Sequence, residues 1–164
     1  MMKSELTPNL GLTSDQIQKL VDILKKTLAD EVVLTTKLRK YHWNVTGPNF
    51  AELHELFEKQ YDETFDMADE VAEYIRIYGE LSPGTLTEFL NDTRLQENPG
   101  KNGTANDMLK DILESHEAIV RNLRADAHVA GSEVGDPAIE DFLVGMIHKH
   151  QKMAWMIRAS ISQS

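Results

Sequence analysis

The sequence predicts an all-α protein: four long helices in a bundle, with one long crossover that carries a short helix. Three observations predict it. Strand-like alternation is hard to find, whereas apolar residues recur with a 3.6-residue period over long stretches. Four such stretches are bracketed by helix-start and helix-stop residues. Short connections join the first stretch to the second and the third to the fourth, while residues 80–103 form one long connection between the pairs. That connection can run the length of a bundle, and structureless loops of such length are otherwise uncommon.

The first helix begins at Thr13, with Gln16 three residues later in a capping-box pattern. Its apolar face reads Ile17, Leu20, Val21, Leu24, Leu28, then Leu34 and Leu38, and it should end near Trp43, before Gly47-Pro48. The second starts near Asn49 with Glu52 at the box position, and carries Phe50, Leu53, Leu56, Phe57, Tyr61, Phe65, Ala68, Ala72 and Ile75. Gly79 is its expected stop, with Pro83 beyond. Its other face is acidic: Glu55, Glu63, Asp66 and Glu70. The crossover holds a short helical pattern around Leu86–Leu90, between Ser82-Pro83-Gly84 and Asn98-Pro99-Gly100. The third long helix starts near Thr104, with Asp107 following, and runs to about Ala130, where Gly131 should stop it. The fourth has Asp136 at the cap, Pro137 at the first helical position and Glu140 completing an acidic box. Ile139, Phe142, Leu143, Met146, Ile147 and Ile161 mark its apolar face, and Met146, Met153, Met156 and Trp155 are expected to pack in the core. Short connections make each pair antiparallel. Four long helices with one long crossover is the ferritin-like arrangement, here a domain over 13–162 behind a short tail, 1–12.

Composition narrows the chemistry. The chain of 164 residues has no cysteine, which excludes disulfide frameworks, thiol nucleophiles and Cys-ligated metals. Neither a signal-peptide h-region nor a membrane-length apolar run is visible, so the cytoplasm is the expected location. A net charge of −10 repels DNA and anionic lipid and concentrates cations, although a solvated acidic surface also serves solubility alone.

Against that background five residues stand out: His42, His54, Glu58, Asp69 and Glu73. Imidazole and carboxylate together suit borderline metals such as Fe(II) or Zn(II). His54 and Glu58 are four apart and share a helix face, as do Asp69 and Glu73. Yet fifteen residues separate His54 from Asp69, roughly 22 Å on one straight helix. A metal with bonds of about 2 Å cannot span that gap. Either these are two unrelated surface pairs, or a second copy runs antiparallel and makes two equivalent shared sites about a twofold axis. Rival motifs fail. The HExxH pattern is broken because Glu58 replaces its second histidine, and no Glu-x-x-His occurs, which disfavours a di-iron site built within one bundle. His116, His128, His148 and His150 read as structural or surface residues.

At these residues the chain resembles the Dps family, the miniferritins. The resemblance runs from about Val21 to Ile161. It is carried most specifically by His-Trp-Asn-Val-x-Gly-x-Asn-Phe at His42–Phe50, by His54-Glu55, and by Asp69-Glu70-Val71-Ala72-Glu73. The resemblance implies a hollow homo-dodecamer whose ferroxidase centres take His42 and His54 from one subunit and Asp69 and Glu73 from its twofold mate, with Glu58 where the family usually has Asp. It implies that Fe(II) is oxidised, preferentially by hydrogen peroxide, and stored inside as ferric mineral, with zinc as a possible competing metal. Trp43 becomes a candidate radical quencher. Asp136, Glu140 and Asp141 become candidate residues of an iron-entry pore, Asp136 having a helix-capping role as its alternative. Family members that bind DNA do so through basic terminal arms. Here Lys3 is balanced by Glu5 and no basic residue follows Arg158, so tight direct DNA binding is not expected. A nucleoid-compacting protein with secondary iron chemistry is the alternative function, and a helical scaffold with vestigial ligands is a third.

Overall fold

The computed structural model describes residues 7–161, and among these all regular structure is helical, without a strand. The order is α1 (Ser14–Asn44), α2 (Phe50–Ile77), α3 (Leu86–Asp92), α4 (Ala105–His128), a π-helical turn (Val129–Val134) and α5 (Pro137–Ser160). Two antiparallel hairpins, α1/α2 and α4/α5, pack into the bundle, and the crossover lays α3 along α1. The predicted four-helix architecture is the one observed. Lys3 and Glu5, on which part of the DNA argument rests, lie outside the described residues.

Caps set the boundaries. Thr13 and Gln16 form the reciprocal capping box that opens α1, and Thr104 and Asp107 do the same for α4. Asp136 accepts from the amides of Ala138 and Ile139 at the start of α5. At α2 the expected box is absent: Asn49 makes no side-chain cap bond. Gly131 does not stop the third long helix either. The chain passes it in a π turn and is turned at Gly135, whose φ of 81° is left-handed and suits glycine. The smallness of Gly131 serves packing instead, because the carboxylate of Glu140 lies where a Cβ would stand.

The core runs the length of the bundle: Leu20, Leu24, Leu34 and Leu38 from α1, Phe57, Met67 and Ile75 from α2, Ile112, Ile119 and Leu123 from α4, Ile139 and Leu143 from α5. Met146 and Met153 join it as expected. Trp155 and Met156 do not: Trp155 is 61% exposed. Phe65 also points outward, 60% exposed, from the stripe that promised it to the core.

Buried charges tie the crossover down. Arg94 reaches Asp30 of α1 through Nε and Nη2 (each 2.8 Å) and Asp126 of α4 through Nη1 (2.7 Å), while its own amide donates to Asp30 (2.6 Å). Burial pushes the Asp30 carboxyl up, against the opposing pull of Arg94. Lys37 donates to Asp111, Ser115 and the Gln96 carbonyl, and Tyr41 donates to Asp111. Lys37, which is buried, and Arg94, which is half-buried, each have several oxygen partners, the condition under which burying a charge is tolerable.

Candidate metal centre

His42 stands in the last turn of α1 and His54 in the second turn of α2, where the five-residue connection folds one helix end back on the other. Each ring is locked by the other residue's backbone. His42 Nδ1 lies 2.8 Å from the His54 carbonyl, and His54 Nδ1 lies 2.8 Å from the His42 carbonyl. A carbonyl only accepts, so both Nδ1 atoms carry the hydrogen, and in the neutral rings both Nε2 atoms keep a free lone pair. This is the carbonyl-oriented arrangement that prepares histidine to ligate a metal. The rings stack 3.6 Å apart, with Tyr61 edge-on to His42 and Phe50 against His54. His42 is buried and His54 half-buried. The result is a pair of preset nitrogen donors at the rim of the bundle, walled by aromatics that the spacing argument did not identify.

The three carboxylates are exposed. Glu58 lies one turn beyond His54, beside the Tyr61 hydroxyl at 3.5 Å. Asp69 and Glu73 lie further along the same helix. Because α2 is unbroken from Phe50 to Ile77, the His54–Asp69 interval does span roughly 22 Å. Among the described residues of one chain, no three His, Asp or Glu side chains lie close enough to hold a metal together. The donor types nevertheless fit iron or zinc: neutral imidazole nitrogens preset by hydrogen bonds, and hydrated carboxylates free to move onto a cation.

Asp69 borders a depression of about 330 Å³ on the α1/α2/α3 face, lined by Leu28, Val32, Phe65, Ala72, Pro83 and Phe89, with Arg39 beside it. Ile77, Leu81, Leu86 and Leu90 are further exposed apolar residues of α2 and the crossover. Trp43, the neighbour of His42, is 71% exposed.

The three candidate pore residues differ in setting. Asp136 is buried. One of its oxygens caps α5, and the other accepts a 2.5 Å hydrogen bond from Tyr78, whose hydroxyl is held protonated by burial and by this carboxylate. Glu140 is half-buried over Gly131, and Asp141 is exposed. Of the other histidines, His128 and His148 are on the surface, whereas His116 and His150 are fully buried and bonded to each other. Among the described residues no helix is long and apolar enough to cross a membrane.

Comparison with known proteins agrees with the architecture. The family model of the ferritin-like domain matches residues 21–163. A low-temperature-induced protein of Nostoc is 37% identical over 153 residues, covering 93% of this chain and 86% of that protein. DNA protection during starvation protein 2 of Bacillus anthracis is 35% identical, covering 89% of this chain and 99% of its own. The solved Dps structure from Vibrio cholerae, described as a member of a broad superfamily of ferritin-like diiron-carboxylate proteins, superposes with a TM-score of 0.87. It is 25% identical and covers 97% of this chain and 99% of that one.

Proposed function

This chain belongs to the ferritin-like family and, within it, to the Dps miniferritins, and we propose that it oxidises Fe(II) with hydrogen peroxide at sites shared by two subunits and stores the ferric product inside a homo-dodecamer. One observation carries this reading above the rest. Two imidazoles are locked with their Nε2 atoms free, while the carboxylates that would complete a site lie out of reach on the same unbroken helix. An antiparallel copy about a twofold axis supplies what one chain lacks, and supplies it twice. The exposed apolar depression beside Asp69 gives such a copy a surface to cover.

In this reading His42 and His54 bind the ferrous substrate through their Nε2 atoms, the nitrogens that the carbonyl contacts leave free. Asp69 and Glu73 of the partner subunit bind from the opposite side and offset the charge gained as Fe(II) becomes Fe(III). Glu58, one methylene longer than the residue usual in the family, reaches the same region from α2. Two ferrous ions each give one electron to one peroxide. The O–O bond breaks, two protons are taken up and two waters form, so no hydroxyl radical is released. Trp43 stands next to His42 as a local electron donor should a single electron transfer occur. Glu140 and Asp141 give the iron-entry route its negative potential, and Asp136 holds the start of α5 that presents them. Zinc suits the same donors and is expected to compete. A cytoplasmic setting agrees with this chemistry.

The test is anaerobic loading of the protein with Fe(II), followed by hydrogen peroxide with a hydroxyl-radical trap present. Fast ferric absorbance without trapped radical is expected, and His54→Ala should abolish the fast phase while leaving the assembly intact. Oxidation at the rate of free iron, with radical trapped, would remove the proposal. A shift of DNA on a gel in magnesium-free buffer would favour the nucleoid-compacting alternative.

A further inference from the structure

The iron chemistry leaves one buried polar chain unused. Glu31 of α1, Gln60 of α2, His116 of α4 and His150 of α5 meet inside the bundle, one from each long helix. Glu31, His116 and His150 have 0% exposure. The chain is continuous: Gln60 Nε2 donates to the Met153 carbonyl (3.2 Å), Gln60 Oε1 faces His116 Nε2 (3.1 Å), His116 Nδ1 faces His150 Nδ1 (3.0 Å), and His150 Nε2 faces Glu31 Oε1 (2.7 Å).

The hydrogens can be placed one after another. The Gln60 amide nitrogen is committed to a carbonyl, so its oxygen accepts and His116 Nε2 carries a hydrogen. Burial, and then the neighbouring His150, hold His116 well below the ordinary imidazole value of 6.5, so this ring is neutral and its Nδ1 accepts. His150 Nδ1 must therefore donate. That leaves the contact between His150 Nε2 and Glu31, which needs one hydrogen on one side or the other. Beyond two neutral rings and a carboxylate, the chain holds one proton.

We propose that this chain is an acid-sensitive latch, which ties the four helices together with one shared proton and opens when a second proton enters. A second proton on His116 would set two N–H groups face to face at 3.0 Å. On Glu31 or His150 it would leave an uncompensated positive charge in the interior. Among the described residues, the neighbouring polar groups do not offset that charge. Gln60 and Thr64 of α2 are neutral, Asp30 is turned to Arg94, Lys37 is turned to Asp111 and Ser115, and Glu31 Oε2 has no hydrogen-bond partner.

The sign follows from His116. A histidine depressed in the folded state contributes stability above its unfolded value, and that stability is lost as the pH falls below about 6.5. With ordinary values in the unfolded chain, the three groups bind about 1.5 protons at pH 6 and about 2.2 at pH 5, against one in the folded protein. This chain alone should then lower the folding constant about eightfold between pH 6 and pH 5. Glu31→Gln keeps the shape but removes the folded proton, while both histidines still titrate in the unfolded chain. The same interval should then cost about sixtyfold.

The experiment is urea unfolding of the intact assembly at pH 6 and pH 5, at fixed subunit concentration, for the native protein and for Glu31→Gln. All other groups are common to both proteins, so the pH slopes compare directly. A steeper loss in Glu31→Gln by about eightfold is expected, and equal or shallower loss would overturn the latch. Should the variant not assemble, ¹⁵N-histidine spectra of the native protein read the same state. One ring should stay neutral, with hydrogen on Nε2, at pH 5. Protonation of all six histidines by that pH would overturn the proposal equally.

Discussion

Replacing Arg94 by Met should cost the protein about 3–5 kcal/mol, the range for breaking a buried ion pair from one side. Asp30 is 1% exposed at its side chain and would lose both guanidinium contacts, keeping only the Arg94 amide and the Thr93 hydroxyl. Asp126 would lose its 2.7 Å contact as well. Burial already raises the Asp30 carboxyl, and without Arg94 it should rise further. A carboxyl raised in the folded state regains stability as the pH falls through its folded value, so the deficit of the variant should shrink from pH 7 to pH 5. Asp30→Asn in the Arg94→Met background should recover most of the loss, because it removes the charge left unpaired. Urea unfolding at fixed subunit concentration measures all three effects. A loss below about 1 kcal/mol would put the pair in the class of surface salt bridges, and failure of Asp30→Asn to relieve the variant would refute the charge argument. The consequence should reach assembly too, since Arg94 anchors the crossover whose Pro83 and Phe89 line the depression beside Asp69.

Three further outcomes are expected. Phe65→Glu puts a charge into that depression while leaving the folded subunit unaffected, so light scattering should show dissociated subunits; a persisting assembly would place the interface elsewhere. Gly135→Ala should cost about 1 kcal/mol in chemical unfolding, because its φ is left-handed while the space around it is open, and no loss would deny the conformational strain. Asp136→Ala removes both the α5 cap and the acceptor of the Tyr78 hydroxyl, a loss of about 2–3 kcal/mol in thermal or urea unfolding; near-zero loss would mean that neither bond contributes.

The sequence announced the bundle through local chemistry. Thr13 with Gln16, Thr104 with Asp107, and Asp136 with Pro137 each satisfy orphan backbone groups within a few residues, so they are visible without tertiary information. Gly131 misled because a glycine needed for close approach looks the same as one needed for a left-handed turn, and only the Glu140 carboxylate over it separates the two. Phe65, Met156 and Trp155 misled for another reason. A 3.6-residue stripe marks a face that is covered, and periodicity does not say whether the cover is the same chain or a second one. At the metal centre the donor types and the fifteen-residue gap were legible, whereas the crossed carbonyl bonds of His42 and His54 depend on how two helix ends meet. The buried chain left a fainter trace. Glu31 sits between Leu28 and Leu34, and His116 between Ile112 and Ile119, each a polar residue interrupting an apolar stripe. In a core that would otherwise reject them, such interruptions signal partners from other helices.

The shared site is tested most directly by complementation. One subunit would carry His54→Ala and the other Asp69→Asn with Glu73→Gln; each alone should lack fast peroxide-driven oxidation of Fe(II). Co-expressed, the two should form mixed pairs in which one of the two sites is built from native histidines and native carboxylates. Random pairing leaves about a quarter of all sites intact, so about a quarter of the native fast phase should return in the mixed assembly. Mixed assemblies as inactive as either parent would contradict a site shared between subunits, and with it the proposed mechanism.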